Sequence, residues 1–170
     1  MLADPSLRES TFKRSVILLV QHSAEEGALG LILNHPTEHL VGDVLKDGDF
    51  APLGNLVVHD GGPVAREQLT FCALWWSKTK GLSWALRISA EEAIEHSRRP
   101  GRLVSAFIGY SGWTAGQLEG EIRRNSWVTI RPASGILGHP HDSTLWTELF
   151  ANISPLHRLL STAPDDPFLN

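Results

Sequence analysis

The stretch GYSGWTAGQLEGEIRRNSW, Gly109 to Trp127, holds four glycines, the chain's only tyrosine and two of its six tryptophans. It follows the β-rich run Leu103 to Tyr110 and precedes a helix-like pattern over Ala115 to Arg124, so a strand must turn sharply into a helix here. Gly109 and Gly112 permit backbone angles or close approaches that a side chain forbids. Thr114 and Gln117 have capping-box spacing, which predicts Thr114 as the N-cap. Leu118 and Ile122 share a face suited to a core, and Glu119 stands four residues before Arg123 in the favourable order. Gly116 and Gly120 each cost about 1 kcal/mol relative to alanine inside a helix. Their pairing predicts another backbone, or a ligand, lying against that side. The free N–H groups at the helix start offer an anion site as the alternative to simple packing. The spacing does not form a GxxxxGK[ST] phosphate loop.

Outward from this corner, the chain reads as a mixed succession of strands and helices. Ser15 to Val20 and Ala28 to Leu33 form an apolar hairpin around Gln21 to Gly27, and Asn34-His35-Pro36 stops it. A short helix is expected over Glu38 to Lys46. Strands are expected over Leu53 to His59, Gln68 to Trp76 and Leu82 to Ile88, with a sharp turn at Asp60-Gly61-Gly62-Pro63. Ser89 and Glu92 form a second capping box that opens a helix running to about Arg98. A strand at Trp127 to Arg131 and a helix at Thr144 to Ala151 follow. The chain divides into one domain, residues 1–152, and a tail, residues 153–170, expected to be irregular and partly mobile. This order favours α+β over a doubly wound sheet.

With 170 residues, 15 Lys+Arg against 19 Asp+Glu and a net charge of −4, the composition suits a single globular domain and argues against a broad nucleic-acid surface. The single cysteine, Cys72, excludes an intrachain disulfide and a cysteine-rich zinc site, and its apolar run predicts a buried, inert thiol. The longest apolar stretch, VILLV, is far short of a membrane span, and the charged N-terminal region lacks the pattern of a secretory signal. A cytoplasmic location without membrane association is the expectation.

Eight histidines raise the question of a metal. Pro36 breaks the helical spacing of His35 and His39, and His139-Pro140-His141 has only Asp142 beside it, so no metal and no cofactor is predicted. No GxSxG elbow accompanies His22 and Ser23.

Several ordered motifs together resemble the AlgH/YqgE family of small bacterial proteins. They are Phe12 to Val16, Gly27 to Asn34, Gly61-Gly62-Pro63-Val64, Gly109 to Trp113, Gly116 to Glu119 with Glu121, and Trp127. The resemblance runs from Leu2 to about Phe150. It implies an α+β fold whose strongly bent mixed sheet forms a pseudo-barrel with flanking helices. It implies no established enzymatic activity, and a transcriptional-regulator label attaches to some members. The chain departs from the family pattern at Gln21-His22-Ser23, where relatives carry Glu-His-Asn, and at Gly138-His139, where they tend to carry Phe-Asp.

The leading expectation is a non-enzymatic module that binds a small molecule or a protein through a groove near the Gly109 corner and the Gly61 turn. The candidate binding residues are Arg14, Ser15, His22, Asn34, Gly61, Gly62, Tyr110, Trp113, Gln117 and Glu121. The alternatives are a transcriptional regulator, acting directly or through a partner, and an enzyme using His22, Glu119 or Glu121.

Overall fold

The computed structural model describes residues 1–8, 11–46 and 48–163. Nine strands run β1 (Leu2–Ala3), β2 (Ile17–Ser23), β3 (Gly27–Ile32), β4 (Pro36–Leu40), β5 (Val57–Asp60), β6 (Val64–Ser77), β7 (Gly81–Ile88), β8 (Arg102–Trp113) and β9 (Trp127–Val128). The helices are α1 (Val41–Val44), α2 (Ala90–Ser97), α3 (Gln117–Arg123), α4 (Ser143–Ala151) and α5 (Pro155–Ser161), with 3-10 turns at Gly48–Leu53 and Ser134–Leu137. The class is α+β.

The long strand β8 organises everything else. Its first half runs antiparallel to β6 and parallel to β5, with Ala106 opposite both Phe71 and Val58. Its last residues leave β5 and pair instead with β3, Ser111 opposite Gly30 and Trp113 opposite Ala28. The exchange of neighbours takes place at Gly109, whose φ is +68°. Beyond the two halves, β2 extends from β3, β4 from β5, and β7 from β6. Bulges accompany the bend: register shifts separate Val64 from Leu69 and Phe71 from Cys72, and Ala65 and Arg87 adopt positive φ. The sheet is thus strongly bent, but it does not close into a barrel: among the described residues β2 and β7 do not pair with each other.

Hydrophobic clusters fill the bend. Leu33, Leu74, Leu82, Phe107 and Ile136 meet inside it. Ile17, Ile32, Trp113, Leu118 and Trp127 pack under α3. Leu2, Val16, Leu145, Trp146 and Phe150 anchor α4, and the Trp146 indole donates to the Ala3 carbonyl at 2.9 Å. Fully burying such side chains contributes roughly 1.5–3 kcal/mol each.

Several local expectations give way to tertiary pairing. The helix expected over Glu38 to Lys46 shrinks to α1, because Pro36 to Leu40 pairs with β5 as an added strand. Leu53 closes a 3-10 turn instead of opening a strand. The strand expected to Arg131 ends at Val128, where its partner β1 ends. From Ile153 the expected irregular course is replaced by α5, capped by Ser154 and seated against α4 through Phe150 and His157, whose ring centroids are 4.9 Å apart. Residues 164–170 of that tail lie outside the described residues. The capping box of α2 forms as the sequence predicts: Glu92 N–H donates to Ser89 Oγ, and Ser89 N–H to Glu92 Oε2.

Candidate functional site

Gly61, Gly62 and Gly109 form a crossing of main chains. The Gly61 N–H donates to the Ile108 carbonyl at 2.8 Å, and the Gly61 carbonyl accepts both Ile32 N–H and Ser111 Oγ at 3.1 Å. A methyl group on Gly61 would lie 2.5 Å from the Gly109 carbonyl oxygen, and one on Gly62 would lie 2.5 Å from Ser111 N. On Gly109 it would overlap the Gly62 carbonyl and lie 2.9 Å from that of Val64. These positions admit no side chain because backbone occupies the space. Gly61 and Gly62 are buried.

Close passage of main chain by main chain is therefore real, at Gly109 as expected and at the Gly61 turn, but it does not extend to the helix that follows. Gly116 has nothing within 4 Å of where a side chain would begin, and its φ of +74° makes it the residue that starts α3. Gly120 meets only the side chains of Arg123 and Arg124. Neither glycine admits a neighbouring backbone. Thr114 is not the N-cap either, although half of the expected box is present: the Gln117 side chain accepts from Thr114 N–H at 3.1 Å. β8 continues through the glycine bend to Trp113, which delays the helix.

Glu121 is the centre of a second group. Its Oε2 accepts both the Trp113 indole at 2.8 Å and the Trp127 indole at 2.7 Å, while Oε1 accepts from Gln117 at 3.0 Å. Phe12 packs on both indoles. One carboxylate thus satisfies two largely buried N–H donors, which accounts for Trp113, Gln117, Glu121 and Trp127 as a folding lock.

Arg14, Ser15 and Asn34 form a third. Asn34 is buried, accepts Val16 N–H at 2.7 Å and donates to the Arg14 carbonyl at 2.9 Å. This fixes Arg14 at a φ of +51°. The Arg14 guanidinium lies over the Trp146 ring at 5.4 Å and donates to the Ala163 carbonyl. Ser15 is fully buried, and its Oγ has no hydrogen-bond partner among the described residues. Tyr110 has the Arg87 guanidinium 5.9 Å above its ring.

His22 and Glu119 lie together on the surface, Nε2 to Oε1 at 2.6 Å. Backbone and His22 hydrogen bonds hold the Glu119 carboxyl below its ordinary range. Ser23 beside it is engaged in the hairpin turn, where its Oγ accepts from Glu25 and Glu26 N–H. The ten candidate residues therefore fall into separate groups and not one constellation. Three histidines are buried or half-buried, His35 and His141, set aside above as metal ligands, and His59, which no motif marks: His59 Nε2 lies 3.0 Å from the His141 carbonyl, His141 Nε2 lies 3.0 Å from that of Ile136, and His35 is next to Asp60. Burial holds His35 and His141 below the ordinary histidine value of 6.5. Among the described residues no group of three or more His, Cys, Asp and Glu can hold a metal ion. Cys72 is buried, which pushes its thiol up to about 12.

The large concavity lies elsewhere. Near Gly109 and Tyr110 there is a niche of about 30 Å³, and Tyr110, Trp113 and Gln117 border a separate open depression of about 440 Å³. Between β2, the β6–β7 hairpin and the segment 129–136 runs a groove of about 1060 Å³. Leu19, Leu82, Trp84, Ile130, Ile136 and Leu149 are among its walls, and of the ten candidates only His22 reaches it. No sequence motif marks it, because its residues come from distant segments that are individually ordinary.

Among the described residues, no helix is long and apolar enough to cross a membrane. The backbone is similar to that of protein DIP2367 from Corynebacterium diphtheriae, with a TM-score of 0.73 and 22% identity, covering 95% of this chain and 89% of that one. It is also similar to the solution structure of the AlgH protein from Pseudomonas aeruginosa, with a TM-score of 0.66 and 25% identity over 96% of this chain and 92% of that one. A UPF0301 protein of Streptomyces coelicolor is 34% identical over the whole chain and 93% of its own length, and one of Bacteroides thetaiotaomicron is 28% identical over the whole chain and 89% of its own. A family model described as AlgH-like matches residues 1–156, and with that span and these relatives the chain belongs to the AlgH-like family.

Proposed function

We propose that the protein is a non-enzymatic binding module whose working surface is the apolar groove between β2 and the β6–β7 hairpin. The observation that carries this reading is the groove itself: about 1060 Å³, walled by aliphatic and aromatic side chains, with Trp76 and Trp84 left more than a third exposed. Ligand sites are concave and mostly apolar, and exposed apolar concavities of this extent mark interaction surfaces.

The glycine crossing, the Glu121 lock and the Asn34 pin support the same reading indirectly. They occupy the family motifs with backbone and packing tasks, and they make the frame around the groove rigid. Of the three arginines that follow α2, Arg98, Arg99 and Arg102, two are engaged within the fold. Arg99 pairs with Glu95, while Arg102 lies 4.5 Å over the Trp75 ring and contacts His96. This favours a binding module over direct contact with nucleic acid.

The test is a thermal-shift and tryptophan-fluorescence screen of amphipathic small molecules and short peptides, run in parallel on the natural chain and on Ala133→Trp, which fills the exposed groove wall. Ligands that shift the natural chain and fail to shift A133W are expected. Ligands with equal effects on both chains, or none in either class, would refute the reading.

A further inference from the structure

The groove runs along strand edges. Successive side chains of a strand leave on opposite faces, so a cavity touching consecutive residues follows the backbone edge and not one face. Ile17, Leu18 and Leu19 of β2 line it in succession, and on the opposite wall it touches Lys80 of the β6–β7 turn, then Gly81 and Leu82 at the start of β7, and Trp84. The groove is the seam at which the bent sheet stops short of closing.

The two edges differ in what they leave unpaired. At the start of β2, Met1 takes the outer side: Ile17 N–H donates to the Met1 carbonyl, and Leu2 bridges Val16. By contrast, among the described residues β7 pairs with β6 alone over its whole length, Gly81 to Ile88. Every second residue of β7 therefore presents an unused N–H and C=O outward. An occupant that is apolar throughout would cover those groups without replacing their water, at a desolvation penalty for each. A polypeptide backbone supplies the missing partners.

Charge narrows the occupant further. The protein carries a net charge of −4, yet no aspartate or glutamate is among the groove walls. Lys80 and Arg131 stand on those walls, exposed, and neither has an ion-pair partner among the described residues. Trp76, opposite Leu82, and Trp84, opposite Leu74, flank the same edge with partly exposed indoles.

Resting on the binding-module reading above, we infer that the groove takes an extended segment of a partner protein, added as a strand along β7, in which apolar side chains alternate with aspartate or glutamate. The apolar side chains enter between Trp84, Leu82 and Ile136, and the carboxylates reach Lys80 and Arg131. Main-chain pairing supplies affinity and the alternate pockets supply selectivity.

The test uses the full chain and a displayed library of random twelve-residue peptides. Enriched peptides are synthesised with a fluorophore and measured by anisotropy. Sequences alternating apolar and acidic residues are expected, with binding weakened at least tenfold by Lys80→Glu with Arg131→Glu. N-methylation of every second peptide amide should weaken binding at least tenfold in one phase and less than twofold in the other, and β7 amides should gain hydrogen-exchange protection. Gly101→Ala, on an open surface position whose φ of +74° strains the added side chain, is the control for destabilisation away from the groove and should bind normally. Failure to enrich a groove peptide, binders indifferent to N-methylation, or concentration-dependent dimerisation that A133W abolishes would overturn the inference. If laurate binds the natural chain and not A133W while no peptide does, the groove reading stands and the strand-addition inference falls. Absence of any A133W-sensitive ligand removes both.

Discussion

The glycine crossing and the groove are opposite solutions to one problem, the bending of a single sheet. At Gly61, Gly62 and Gly109 the bend is absorbed by bringing backbones so close that no side chain fits, and the carbonyls and N–H groups there are paired. At the seam between β2 and β7 the same bend leaves a gap of about 1060 Å³ with one strand edge unpaired. The comparison teaches that a dense motif marks where a fold is hardest to build, while the surface available for binding forms where the fold stops short.

That contrast can be broken most directly at the crossing. Gly62→Ala places a methyl group against Tyr110 and Ser111 backbone at a φ of +141°. We expect a loss on the order of 4 kcal/mol or failure to fold, measured by urea unfolding. A cost under about 1 kcal/mol would mean that the backbones separate easily. Asn34→Ala comes next. It removes one acceptor and one donor from buried main chain at Val16 and Arg14, with an expected cost of roughly 3 kcal/mol in the same assay.

Gly116→Ala sharpens the difference, because that glycine has a positive φ and open space. Strain alone should cost about 1 kcal/mol. A value equal to that of Gly62→Ala would erase the distinction between conformational need and close approach.

The region joining β5 to the segment before α4 has its own signature in pH. His35 and His141 are held below 6.5 by burial, so in the window just under 6.5 the unfolded chain binds more protons than the folded one. Neither histidine makes stability depend on pH well above 6.5, and stability should fall as the pH drops below it. Unfolding of His141→Gln followed from pH 7.5 to 5.5 should show a shallower fall than the natural chain, whereas an identical slope would remove His141 from the account.

The smallest stability effect belongs to the groove. Trp84 is 37% exposed, and Trp84→Ser should leave unfolding within about 0.5 kcal/mol of the natural chain while weakening groove ligands at least tenfold. Loss of stability comparable to that of Asn34→Ala would show that Trp84 belongs to the core and not to a binding wall.

Local physics was legible where a short stretch contains both partners of an interaction. Ser89 with Glu92, the hairpin of β2 and β3 around Gln21 to Gly27, the buried Cys72 and the amphipathic α4 all depend on neighbours a few residues away. Glu121 shows the boundary of that legibility: its motif position was visible, but its two indole partners lie on different elements, and only packing brings Trp113 and Trp127 to one oxygen. Gly116 shows it from the other side. Its spacing from Gly120 predicts a neighbouring backbone that tertiary structure puts 50 residues away in sequence, between Gly61 and Ser111.

The amino-acid order alone thus determined that this chain is an α+β domain with glycine-permitted close passages, because turn chemistry, caps and apolar periodicity are written within a few residues, while the bend of its sheet was implied only by the family resemblance. Tertiary structure decided which glycines meet, that the sheet ends before closing, and that the gap is apolar and free of carboxylates. Those properties depend on the register of β8 with three strands at once, and no single segment contains that register.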